Sequence, residues 1–168
     1  MSLASVRAFL AAHAPDIAVL EATTSTATVA LAAAAHGVLP AEIAKTLSLR
    51  LGDDVILVVM GGEARLDNRK YKDRFGAKAK MLEAEEVLAA TTHPVGGVCP
   101  IGLPAPLKVY ADRSLLRFAV VVPAAGDTHH ALRIAPERLA RLAAAEWVDV
   151  AQAQDTAEPE PATAGAPE

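Results

Sequence analysis

One cysteine in 168 residues, Cys99, leaves no internal disulfide framework and too few thiols for a Cys-rich zinc site. No apolar run approaches the roughly 20 residues needed to cross a bilayer, so no membrane-spanning helix is expected. The start, Met1-Ser2-Leu3-Ala4-Ser5, lacks the basic-then-apolar pattern of a secretory signal, and a soluble cytoplasmic protein is expected. Standard catalytic signatures are missing too: there is no Walker loop, nucleophile elbow, dinucleotide fingerprint or metal-ligand pair at helical spacing. No metal and no other cofactor is therefore expected. His13, His36 and the His129-His130 pair read as solvent-facing, since adjacent strand residues point opposite ways and cannot readily share an ion.

What is present begins with alanine. Of the 88 hydrophobic residues, 38 are Ala, which buries little area, and 50 carry larger apolar side chains. Fifty suffice for one core at about 1.5–3 kcal/mol per fully buried large side chain, and the length fits one domain. Net charge is -4, which argues against nucleic acid, but the distribution is uneven. Arg65, Arg69, Lys70, Lys72, Arg74, Lys78 and Lys80 outnumber Asp67 and Asp73, a local balance of +5 against -9 elsewhere. Such a patch is either a solvated helix face or an electrostatic footprint.

The periodicity predicts a mixed α/β domain with a largely antiparallel sheet and helices packed around it. Residues 3–13 read as an amphipathic helix and Ile17 to Leu20 as a short strand. Oxygens of Thr23 to Thr26 can cap an Ala-rich helix running to His36 and stopped by Gly37. Pro40 suits a first helical turn. Residues 45–51 then alternate, with Leu47, Leu49 and Leu51 on one face, and after a Gly52-Asp53-Asp54 turn Val55 to Met60 is continuously apolar. This is an antiparallel hairpin whose second strand is buried on both faces. Asp67 caps a helix to about Phe75 ended by Gly76, and residues 83–90 form another. Strands are predicted at 109–111, 118–122, 131–134 and 147–150, with a turn at Asp112 or Ser114 and a helix from Pro136 to about Ala145. The domain spans 1–150. From 151 to 168 the chain has no large apolar side chain, so a disordered acidic tail is expected.

Three features suggest chemistry. Lys45 stands where helix gives way to sheet among apolar neighbours, either a snorkelling edge residue or a cation aimed into a cleft. From Thr91 to Pro106 there is no period, only four prolines and three glycines. Successive glycines allow a backbone to approach a ligand closely, while proline holds the loop in shape. Such a loop lines a pocket with backbone donors and suits recognition of a carbonyl. Cys99 lies in it with no activating His and acid arrangement, and reads as a small semi-buried thiol.

Five segments together resemble the YbaK/ProX family of free-standing aminoacyl-tRNA deacylases, similar to the editing domain inserted in bacterial prolyl-tRNA synthetases. They are Ala44-Lys45-Thr46-Leu47, residues 62–67 (Gly-Glu-Ala-Arg-Leu-Asp), residues 93–103 (His-Pro-Val-Gly-Gly-Val-Cys-Pro-Ile-Gly-Leu), Tyr110-Ala111-Asp112 and Ala124-Ala125-Gly126. They occur in the family's order and spacing, and the resemblance covers about residues 3–150.

The resemblance implies trans-editing: hydrolysis of the ester joining a wrong amino acid to the 3′ end of a tRNA, with no cofactor. It assigns Lys45 to the terminal phosphate or ester region, and Gly96, Gly97 and Pro100 to the loop whose backbone positions the substrate carbonyl and the water. It places His93, Val98, Cys99, Asp112 and Gly126 at the substrate. An aminoacyl ester is already activated, so a positioned water and backbone polarisation can replace a triad. Two positions depart from the family: Thr92 stands where relatives have Gly. Ala131 stands where the cysteinyl-tRNA branch has an acid, which points to Ala, Ser, Thr or a similar small residue. In this setting Arg69, Lys70 and Lys72 are assigned to tRNA phosphates, with one of Tyr71 and Phe75 in the core. The expected partners are aminoacyl-tRNA and a synthetase, with no membrane and no DNA. The alternative is a non-catalytic tRNA- or synthetase-binding module of the same fold.

Overall fold

Alternation from Ile43 onward builds the longest ladder of the molecule. Strand β2 (Ile43–Leu51) pairs antiparallel with β3 (Asp54–Gly61) from Ala44↔Gly61 to Leu51↔Asp54. One face of the hairpin, with Leu47, Leu49, Ile56, Val58 and Met60, packs under helix α3 (Asn68–Phe75) through Tyr71 and Phe75. The opposite face, with Ala44, Leu57 and Val59, joins a second core cluster with Val87, Val98, Leu115 and Leu139. The second strand is thus buried on both sides, as its uninterrupted apolar run predicts.

The structure, a computed structural model, describes residues 2–153. In chain order the remaining elements are α1 (Ser2–His13), β1 (Val19–Glu21), α2 (Val29–His36), α4 (Ala84–Thr91), β4 (Lys108–Asp112), β5 (Val122–Pro123), β6 (His130–Leu132), α5 (Pro136–Leu142) and β7 (Glu146–Val148), with 3₁₀ turns at Pro40–Glu42 and Arg113–Arg117. The main sheet has the order β5-β2-β3-β4-β7, and β1 pairs with β6 in a two-stranded sheet. Isolated bridges Val121↔Ile134 and Ala124↔Ala131 join the small sheet to the β5 edge. The class is the expected mixed α/β, and antiparallel partners outnumber parallel ones over all ladders. The short ladders β2–β5, β3–β4 and β4–β7 are nonetheless parallel. No helix among the described residues is long and apolar enough to cross a membrane.

Local chemistry explains the element ends. Asp67 caps α3 by accepting from the N–H of Lys70, and Gly76 closes it at φ 75°. Helix α2 is capped by Thr28, whose hydroxyl accepts from the N–H of Leu31, and not by Thr23 to Thr26. Thr26 is drawn away to donate to the carbonyl of Thr128. The strand predicted at 118–122 shrinks to Val122–Pro123, because the preceding 3₁₀ turn leaves Val120 42% exposed and only Val121 reaches a partner. Helix α5 stops at Leu142, not Ala145. Ala151 and Gln152, read from the sequence as tail, are held by the domain: Ala151 bridges Leu66, and the N–H of Gln152 donates to the carbonyl of Arg65. The expected disorder beyond them falls outside the described residues.

Candidate functional site

Strand β2 carries the site because its outer edge is only partly paired. Strand β5 accompanies it at Ile43 and Ala44 and then diverges. Pairing on that edge resumes where Leu82 N–H reaches Ser48 O and Leu49 bridges Met81. Around Lys45 and Thr46 the sheet opens, and a cleft of about 90 Å³ occupies the gap. Its far wall is the stretch Thr26 to Val29 at the start of α2, and Val122, Ala124, His130 and Ala131 close another side.

The glycine-proline loop supplies the remaining wall through Gly96 and Val98. Gly96 sits at φ 86°, where a Cβ would come within 2.5 Å of the Ala27 carbonyl oxygen. At Gly97 a Cβ would meet the backbone of Asp127 at 2.6 Å. The carbonyl of Gly97 accepts from the N–H of Gly126 at 2.9 Å. Both glycines are therefore demanded by close approach: the loop is wedged between residues 26–28 and 126–128. Loop entry is at Thr92, the C-cap of α4, which adopts φ 62°. Glycine takes that conformation freely and threonine does not.

Lys45 is half-buried, and its ammonium donates to the carbonyls of Gly62 (3.2 Å) and Ala64 (2.5 Å). Burial, with Arg65 close by, lowers its pKa below that of a free lysine. It is a cation anchored by the β3–α3 turn at the margin of the cleft, and the basic segment begins beside it.

Of the residues singled out from the sequence, the structure brings Lys45, Gly96 and Val98 to the cleft. Gly97 and Gly126 stand behind them as the contact between two loops. His93, Cys99, Pro100 and Asp112 are buried elsewhere and do not line the cleft. His93 accepts through Nδ1 from the N–H of Cys99, closing the loop on itself. Burial pushes the Cys99 thiol up to about 12, the state of an inert packing residue. Asp112 accepts from Ser114 N–H and from Val150 N–H, joining β4, the following turn and the chain end.

On α3, Arg69 is 89% exposed with only a 3.9 Å contact to Asp73, and Lys72 is exposed. Lys70 is instead occupied by the Asp149 carboxylate and the Ala151 carbonyl. Arg74 pairs with Glu146. Tyr71 is core, and Phe75 is packed between Tyr71 and Tyr110.

The sequence reading of His130 as solvent-facing is corrected. Its side chain is 13% exposed, lines the cleft, and places Nδ1 2.7 Å from the Asp127 carboxylate. Burial works to raise the Asp127 pKa, but the contacts from His130 and from the N–H of His129 hold it below the usual carboxylate value. An acid three residues before a histidine, just after the Gly126 turn, was the available signal. Thr26, Thr28 and Thr46 also line the cleft without having been singled out. Among the described residues, no three His, Cys, Asp or Glu side chains gather as a metal site.

Comparison with known proteins agrees with this geometry. The aminoacyl-tRNA editing domain family matches residues 23–142. The uncharacterized protein YwhH of Bacillus subtilis is 45% identical over 152 residues, covering 89% of this chain and 97% of YwhH. A proline–tRNA ligase of Geobacter sp. is 35% identical over 100 residues, 58% of this chain but only 18% of the ligase. A solved structure of a proposed trans-editing enzyme for prolyl-tRNA synthetase superposes with a TM-score of 0.83 at 30% identity, covering 90% of this chain and 97% of that one.

Proposed function

The chain belongs to the aminoacyl-tRNA editing domain family, and on that footing we propose that it removes a small, wrongly attached amino acid from tRNA, acting in trans. Its activity class is aminoacyl-tRNA deacylase, an ester hydrolase. The observation that carries the narrower reading is the cleft itself: about 90 Å³, with an anchored cation at one margin and a backbone-walled glycine loop at another. A cleft of that size suits a small side chain and its ester. Near-complete coverage of YwhH, against a small fraction of the ligase, supports action as a separate polypeptide.

In this reading the Lys45 ammonium meets the phosphate or ester end of the substrate. Backbone groups of Gly96 orient the carbonyl and the attacking water, while Gly97, bonded to Pro94 and Gly126, and Pro100 stiffen the loop behind it. His93, Cys99 and Asp112 hold the frame from inside. The tRNA end approaches over Arg65, Arg69 and Lys72, whose exposed charges favour a phosphate backbone.

The test is a panel of labelled alanyl-, seryl-, threonyl-, cysteinyl- and prolyl-tRNAs, wild type beside Lys45→Ala. Hydrolysis of at least one small aminoacyl ester, lost in the variant, is expected. Hydrolysis of none would leave the non-catalytic binding module, and hydrolysis indifferent to Lys45→Ala would remove the role given to that cation.

A further inference from the structure

We propose that the acidic segment beyond Gln152, through Asp155, Glu158 and Glu160, occupies the basic face at Arg65 and Lys72 and competes there with tRNA phosphate. The inference rests on the reading of that face as the tRNA approach and gives it an occupant from the same chain.

The domain decides where this segment leaves it. Asp67 N–H donates to the Val150 carbonyl and Gln152 N–H to the Arg65 carbonyl, on either side of the antiparallel bridge Leu66↔Ala151. Lys70 Nζ adds a hydrogen bond of 2.9 Å to the Ala151 carbonyl. An antiparallel track that has passed Leu66 and Arg65 is headed for Ala64 and Gly62, whose carbonyls hold the Lys45 ammonium. The acids that follow thus start from the first residue of the basic segment, in the direction of the turn at the cleft margin.

Charge supplies the second argument. Residues 154–168 hold Asp155, Glu158, Glu160 and Glu168 and no basic residue. Arg65, Arg69 and Lys72 are exposed, and among the described residues no ion pair engages Arg65 or Lys72. Glu63 and Asp73 offset only part of that charge. Where the fold does bring acids from the end of the chain near this segment, they pair with it: Asp149 takes Lys70 and Glu146 takes Arg74.

Reach is sufficient. Asp155 stands three residues beyond Gln152, at most about 10 Å of extended chain, and Glu160 eight residues beyond, at most about 28 Å. Tethering gives even a weak carboxylate contact an effective concentration on the order of millimolar. The planar fork of arginine accepts a carboxylate or a phosphate in the same two-donor geometry, so the two exclude each other.

The experiment uses the full chain in three forms: wild type, Asp155→Asn/Glu158→Gln/Glu160→Gln, and the control Asp53→Asn/Glu85→Gln/Glu137→Gln, which removes the same charge from exposed sites elsewhere. Binding of bulk uncharged tRNA is measured at about 50 and about 200 mM salt. Without tRNA, backbone amide resonances of residues 65–72 are compared by NMR. The tail variant should bind about threefold or more tighter than wild type and than the control, with the gap closing as salt rises. Its amides at Arg65 and Lys72 should shift, and those of the control should not. Equal gains in the two variants would reduce the effect to net charge and overturn the proposal, as would unmoved amides. Shifts that grow with protein concentration would assign the contact to a second copy and overturn it within one chain. Hydrolysis of none of the five labelled esters, with these tail effects present, would remove the deacylase reading and leave the proposal standing.

Discussion

His93 Nδ1 accepts a 3.0 Å hydrogen bond from the backbone N–H of Cys99, and both residues are fully buried. The bond closes the segment that contains Gly96, Gly97 and Val98, so a histidine outside the cleft sets the shape of one of its walls.

That bond predicts a pH dependence. Burial lowers the His93 pKa below its ordinary 6.5. Between those two values the unfolded chain binds a proton that the folded chain refuses, so stability rises with pH across the window and falls on acidification below about 6.5. Thermal midpoints measured from pH 7.5 downward should fall more steeply for wild type than for His93→Gln. At pH 7.5, His93→Ala should cost about 1–3 kcal/mol, because the Cys99 N–H is left unpaired. Equal slopes for wild type and His93→Gln would show that His93 does not titrate in this way.

Gly97→Ala is expected to destabilise the protein by about 1–3 kcal/mol and to depress deacylation. The added Cβ would stand 2.6 Å from Asp127 backbone, which cannot give way as a flexible side chain does. Denaturant unfolding and kcat/KM measure the two effects; an unchanged midpoint and rate would mean that the two loops do not press against each other at Gly97.

Thr92→Gly should stabilise. The wild-type residue is β-branched and sits at φ 62°, a conformation costing on the order of 1–2 kcal/mol for a non-glycine residue. A rise in the urea midpoint at unchanged m is the expected result, and a fall would show that contacts of the threonine side chain outweigh the backbone strain.

Charge reversal on α3 should be unequal. Arg69→Glu with Lys72→Glu removes exposed cations, so tRNA affinity should drop and the salt slope should shrink by about 0.7–0.9 for each phosphate no longer neutralised. Lys70→Glu should chiefly lower stability, because it sets a carboxylate against Asp149 and the Ala151 carbonyl. If Lys70→Glu weakened tRNA binding as much as the double variant at unchanged stability, Lys70 would belong to the footprint after all.

What the chain determined by itself is everything set over a few residues. Alternation specified the β2–β3 hairpin, and Asp67 and Gly76 delimited α3, because side-chain period and capping are local properties. Lys45 and the glycine-proline loop could likewise be picked out as unusual, and the single cysteine already excluded an internal disulfide framework. Tertiary structure alone decided which of them meet. Gly97 is pressed on Asp127, His130 is turned into the cleft by that same aspartate, and Lys70 is captured by Asp149. The open edge of β2 at Lys45 and Thr46 exists only because β5 leaves it after Ala44. The widest of these contacts join residues tens of positions apart, and no local periodicity encodes them.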